Sequence, residues 1–116
     1  MPKTSMQISG SLLGLILSVL DDAPLHGYGI AREIERRSAE ALSFGEGTLY
    51  PALRNLEQDG FVQARWDTSA ERGPARKVYD ITPEGRLELT RIRTDWSQYS
   101  HSIDRVLLGP TKTQPA

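Results

Sequence analysis

Apolar residues recur at helical spacing from Met6 to Leu20, with Ile8, Leu12, Leu15, Ile16 and Val19 on one face. Leu13, Leu17 and Leu20 fill a second face, so this first helix is apolar on most sides and is expected to be buried against more than one partner. Residues 1–5 show no such spacing and are expected to form a mobile tail. The segment Asp21 to Pro24 stops the helix, with the two aspartates read as capping groups. A second, amphipathic helix is predicted over Gly27 to Ser38. Ile30, Ala31 and Ile34 face inward, and Arg32, Glu33, Glu35, Arg36 and Arg37 face water.

A third helix carries Leu49, Leu53 and Leu56 on its apolar stripe and ends at Asp59, with Gly60 as a left-handed cap. Its start is open. Pro51 favours the first turn and so a start near Thr48 to Tyr50, but a start at Gly45 or Glu46 is equally compatible. Phe61 to Trp66 and Val78 to Ile81 read as two short strands, and the polar stretch between them, with Gly73 and Pro74, makes them a hairpin with a long tip. Thr82, Pro83 and Glu84 then open a last helix that runs to about Leu108: N-cap, proline in the first turn, acid at the positive end of the dipole. Residues 109–116 are expected to be a disordered tail.

Three helices, a hairpin and a long helix are the layout of a winged helix-turn-helix, mainly α with a minor β part. Residues 6–81 would form the DNA-binding domain and residues 82–108 a dimerisation helix. On that last helix Leu89, Ile92, Trp96, Tyr99, Ile103 and Val106 alternate at intervals of three and four, the a/d seam of a coiled coil. Such a seam needs a partner. Together with Leu12, Leu15, Ile16 and Val19 of the first helix, it predicts a two-fold homodimer.

With 116 residues the chain has room for one modest core. The longest apolar run, Leu12 to Leu20, is too short to span a bilayer, and no secretory signal is apparent, so a cytoplasmic protein is expected. No cysteine, no metal-ligand spacing and no glycine-rich phosphate loop are present, which disfavours an enzyme and predicts neither cofactor nor metal. The net charge of −1 excludes a generally basic nucleic-acid binder, so any positive charge offered to DNA must be local. The hairpin supplies it: Arg65, Arg72, Arg76 and Lys77 stand against Asp67 and Glu71.

The strings Leu25-His26-Gly27-Tyr28-Gly29-Ile30, Gly47-Thr48-Leu49-Tyr50-Pro51-Ala52-Leu53, Leu56-Glu57-Gln58-Asp59-Gly60-Phe61-Val62 and Arg76-Lys77-Val78-Tyr79, with Thr82-Pro83-Glu84-Gly85, resemble the PadR family of bacterial transcriptional regulators. The His-Gly-Tyr turn and Gly-Thr-Leu-Tyr-Pro are the specific parts. The last strings also occur in MarR-type regulators, whose N-terminal dimerisation helix has no counterpart here. One departure stands out: Gly45-Glu46 occupy a place where many relatives carry a small polar residue and proline, and the acid would sit close to DNA phosphates.

The resemblance implies a homodimer on a roughly palindromic operator, usually a repressor, in some cases released by an aromatic molecule. It implies that Gly45 to Asp59 read the major groove. Gly47 would allow close approach, Thr48, Tyr50, Arg54 and Asn55 would contact bases or backbone, His26, Tyr28, Arg76 and Lys77 would hold phosphates, and Arg72 at the wing tip would reach a groove or the backbone. Plainer roles remain open at this point. These are packing of Tyr50 on the second helix, a local role for His26 in its own turn, and simple solvation of the wing cations. Leu12, Leu15, Ile16, Ile92, Trp96, Tyr99 and Ile103 could line an aromatic-ligand site at the seam, or serve as interface core. A dimeric ligand- or protein-binding module without sequence-specific DNA binding is the alternative reading.

Overall fold

A computed structural model describes residues 2–67, 73 and 75–109, with side chains from Leu12 onward. Arg72, most of the wing tip and the tail beyond residue 109 lie outside the described residues. The elements are α1 (Pro2–Asp22), β1 (Leu25–His26), α2 (Gly27–Arg37), α3 (Glu46–Gln58), β2 (Val62–Asp67), β3 (Arg76–Ile81) and α4 (Pro83–Leu107). Helix α1 begins at Pro2 rather than at Met6, because proline in a first helical turn gives up an N–H that has no intrahelical acceptor.

Helix α1 is apolar all round because it is the centre of the fold: it touches α2, α3, β3 and α4. Its Ile16, Leu17 and Leu20 meet Ile30 and Ile34 of α2, Leu49, Leu53 and Leu56 of α3, Val62, Tyr79 and Ile81 of the sheet, and Leu89 of α4 in one buried cluster. Asp21 and Asp22 act as ion-pair partners rather than as the expected caps. Asp21 accepts from Arg86 of α4 at 3.0 Å, and Asp22 accepts from Arg37 of α2 at 2.5 Å. Arg37 also donates to Glu33, and Arg36 donates to the same carboxylate. These hydrogen bonds hold the Glu33 carboxyl at a pKa of about 2, well below its ordinary value.

The sheet has the order β1-β3-β2, antiparallel throughout. Strand β1 escapes sequence analysis because two residues cannot show a period. It pairs Leu25 with Tyr79 and His26 with Val78. Strand β3 starts at Arg76, ahead of the expected Val78, because Arg76 and Lys77 continue the ladder opposite Asp67 and Trp66.

The C-terminal ends of α2 and α3 close with the same hydrogen-bond pattern. After α3, Gly60 stands at φ +81°, its N–H donating to Glu57 O, while the Phe61 N–H reaches Leu56 O. After α2, Ala39 takes the left-handed position at φ +53°, with the Glu40 N–H on Glu35 O at 2.7 Å. The α4 entry is as expected. Thr82 Oγ1 accepts from the Gly85 N–H at 3.0 Å, with Pro83 in the first turn. Thr82 also fastens this cap to the preceding turn, donating through Oγ1 to Gly60 O and through its N–H to Phe61 O. A Cβ on Gly85 would stand 2.1 Å from that Phe61 carbonyl oxygen.

The seam on α4 divides in two. Leu89 is sealed, and Ile92 packs so closely on α1 that a Cβ at Gly14 would meet Ile92 Cγ2 at 2.7 Å. Ile16, Val19 and Leu89 are corrected here as interface residues: their surface is already consumed inside one protomer, so they have none to offer a partner. For the same reason Ile16 cannot line a ligand site at the seam. Leu12, Leu15 and Ile92 are half-buried, and Trp96 and Ile103 are exposed, with Val106 at 82%.

Candidate nucleic-acid interface

Helix α3 starts at Glu46 with Gly45 as N-cap, so Pro51 lies inside it and the earlier of the two possible starts is correct. Pro51 stands in the second turn and removes one ladder bond, the one its N–H would make to the Gly47 carbonyl. Leu49, Ala52, Leu53 and Leu56 bury one face. Gly47, Thr48, Tyr50, Arg54 and Asn55 lie on the other, all exposed. A Cβ at Gly47 would meet nothing, so this end of the helix is open to a ligand.

Tyr50 and Arg54, one turn apart, enter a cleft of about 420 Å³ formed with His26, Gly27, Tyr28, Glu57, Arg76, Lys77 and Tyr79. Six of the residues expected to meet DNA (His26, Tyr28, Tyr50, Arg54, Arg76 and Lys77) are therefore brought to one place by four separate elements, β1, α2, α3 and β3. Thr48 and Asn55 stay on the exposed α3 face outside that lining. Tyr50 packs on the second helix and still keeps open surface. Its ring lies on Gly27 at the start of α2, where a Cβ would come within 2.6 Å of the hydroxyl oxygen, yet 37% of its surface remains exposed.

The cations of the cleft have counter-charges that sequence spacing cannot show. Lys77 Nζ stands 3.8 Å from Glu57 Oε1, and 5.8 Å from the centroid of the Tyr79 ring. Both partners of the pair are about two-fifths exposed, so this contact is weak and a phosphate can replace it. His26 Nε2 lies 3.6 Å from Asp67, which ties β1 to the foot of the wing. At Tyr28 the hydroxyl accepts from Arg32 Nη1 at 2.8 Å, and the guanidinium stands over the ring at 5.6 Å. Burial, and then the nearby Glu57 charge, push the Tyr79 phenol up.

Glu57, Tyr79 and Arg32 are thus parts of the site that sequence reading missed. Glu57 follows Arg54 by three residues and shares its side of α3, which is the signal that could have found it. At the other end of the molecule, Trp96 and Tyr99 stack obliquely, centroids 5.8 Å apart and rings inclined at 42°. No group of three or more potential metal ligands is assembled among the described residues, and no described helix is long and apolar enough to cross a membrane.

An exposed helix laid beside a two-stranded wing, with cations and hydroxyls converging between them, defines a winged helix-turn-helix regulator that binds DNA. The model of the transcriptional regulator PadR-like family matches residues 16–91, and the chain belongs to that family. Its members are transcription regulators and not enzymes.

Among relatives, a transcriptional regulator of Mycobacterium tuberculosis is 37% identical over 88 residues, 76% of this chain and 78% of that protein. The structure of a transcriptional regulator from Clostridium thermocellum superposes with a TM-score of 0.79 at 28% identity, covering 86% of this chain and 96% of that one. A PadR family regulator from Eggerthella lenta gives 0.73 at 26% identity, covering 91% and 90%.

Proposed function

We propose that this chain is a cytoplasmic repressor that works as a homodimer, with residues 6–81 as its DNA-binding domain and residues 82–108 as its dimerisation helix. Each protomer lays α3 in the major groove of one half of a palindromic operator. The observation that carries this reading is the convergence of Tyr50, Arg54, Arg76 and Lys77 on one cleft beside the exposed face of α3. Arg76 and Lys77 hold phosphates, and Lys77 does so by exchanging Glu57 for the DNA backbone. Thr48, Arg54 and Asn55 reach base edges.

The exposed distal seam supports the dimer. Trp96, Tyr99, Ile103 and Val106 form its centre, with Leu12, Leu15 and Ile92 at its margin. The Trp96–Tyr99 pair supports an aromatic effector held at that seam. Titrating W66F, which leaves Trp96 as the sole tryptophan, with planar aromatic compounds tests this. A saturable emission change with loss of operator binding is expected, and neither would appear if Trp96 is only interface core.

DNA binding is tested on the intergenic region upstream of the chain's own gene. Wild type should protect a two-fold site, with affinity falling steeply with salt. Exchanging both wing cations (R76A/K77A) should lower the slope of log K against log salt by about 2. An unchanged slope removes the wing from the mechanism. No footprint on any duplex would instead favour a dimeric module that binds a ligand or protein.

A further inference from the structure

Trp66 has a large apolar surface in water and no role in the site as described so far. It is the penultimate residue of β2 and is 64% exposed. Its direction is fixed by the ladder. Val62 pairs with Ile81, Ala64 with Tyr79 and Trp66 with Lys77, and directly paired residues of antiparallel strands lie on the same face of the sheet. That face is the one turned toward α3. Val62 and Ile81 enter the core with Leu56, Tyr79 lines the cleft with Tyr50 and Arg54, and Lys77 reaches Glu57. The indole continues the same face outward, past the point where α3 can cover it.

The chemistry around the indole selects its partner. Lys77 stands directly opposite on the same face, while Arg65 and Arg76, one step along each strand, belong to the other face of the ribbon, all three exposed. A flat apolar surface with a cation beside it, on a ribbon that carries two further arginines on its other face, matches neither an apolar protein face nor a basic one. It matches a polyanion that also has apolar parts, which duplex DNA provides: phosphates outside, deoxyribose and base edges within the groove.

Resting on the DNA-binding reading above, we propose that Trp66 is the wing's groove-contacting residue, its indole packed on the deoxyribose and base edges of the operator while Arg76 and Lys77 hold the flanking phosphates. The role is uncharged, which gives it a signature distinct from that of its neighbours. Losing a cation reduces affinity and also flattens its salt dependence, whereas losing the indole reduces affinity alone.

The test uses labelled duplex carrying the upstream region, titrated across a salt series with wild type, W66A, W66F and K77A. W66A should bind about tenfold more weakly, roughly 1.4 kcal/mol, with the wild-type salt slope. K77A should lower that slope by about 1. Tryptophan emission of the wild type should be quenched at saturating DNA, and that component should vanish in W66F. Wild-type affinity in W66A, a flattened slope in W66A, or the same quenching in W66F overturns the proposal while DNA binding stands. Failure of the wild type to bind any duplex overturns both together.

Discussion

Leu89 and Ile103 hold equivalent positions of one heptad seam, two heptads apart on α4, and they meet opposite surroundings. Leu89 is sealed in the core among residues of α1, α2, α3 and the sheet. Ile103 is 40% exposed, with Trp96 and Val106 exposed on the same stripe. The near half is anchored three ways: Thr82 caps it on the Gly60 turn, Arg86 pairs with Asp21, and Arg93 donates to Ser18. A regular pattern therefore carries two functions in series. The first heptad completes the reading head from within the chain, and the later ones present apolar surface that only another surface can cover.

The largest effect is expected at the joint of the near half. Gly85→Ala places a Cβ against the Phe61 carbonyl and Ile81 Cγ1, and a backbone oxygen at 2.1 Å cannot yield as a flexible side chain would. The expected loss is roughly 3 kcal/mol, on the order of 15 °C in Tm, read by thermal unfolding. Near-wild-type stability would mean that α4 can lift from the head, and the distinction between its halves would collapse.

The far half should respond differently. I103D/V106D puts carboxylates on the exposed stripe, where a single protomer tolerates them. The dimer Kd should rise by roughly 100-fold, about 2.7 kcal/mol, by light scattering, with the head still folded by circular dichroism. Operator binding should weaken as the two half-sites lose their linkage. A variant that stays dimeric would place the interface elsewhere.

The seam, the Thr82 cap and the Gly60 turn were legible in sequence because each is set by residues a few positions apart. The division of the seam was not. A heptad specifies that a partner exists, and Gly14, whose lack of a Cβ lets α1 close on Ile92, does not stand out in a run of leucines. The cleft was legible as a list of residues but not as an arrangement. Glu57 and Lys77 are far apart in sequence and meet only because β3 lies beside α3, and β1, which brings His26 to Asp67, is too short to leave a pattern. The wing cations likewise read as free charges when the chain is taken one residue at a time.

Within the head, the two matching helix ends offer a finer comparison. Gly60 fills its left-handed position with the residue best suited to it, while Ala39 holds the same position against a steric penalty. Ala39→Gly should stabilise the head by about 0.5 kcal/mol, and Gly60→Ala should destabilise it by about 1 kcal/mol, in urea unfolding. Neither should alter the dimer Kd. A change there would mean that head and seam are coupled more tightly than the exposure pattern indicates.

The smallest effect concerns acid. Hydrogen bonds from Arg36 and Arg37 hold Glu33 at about 2, below the ordinary carboxylate value near 4.3. A lowered folded-state pKa means that the contribution is fully present above the ordinary value and is lost as pH falls through about 2. Because Arg37 also binds Asp22, protonating Glu33 removes one leg of the clasp between α2 and the end of α1. The carboxylate is in water and the ion pairs are screened, so only a shallow decline in head stability is expected between about pH 4.5 and 2. Glu33→Gln should flatten that part of the profile and leave stability at neutral pH slightly lower than wild type. The far half of α4 has no titrating group at Trp96, Ile103 or Val106, so the same substitution should leave the pH dependence of dimerisation where it was. If Glu33→Gln moves the dimer profile instead, the α1–α2 clasp is part of the interface, and the boundary between the finished and open regions lies closer to the head than Ile92.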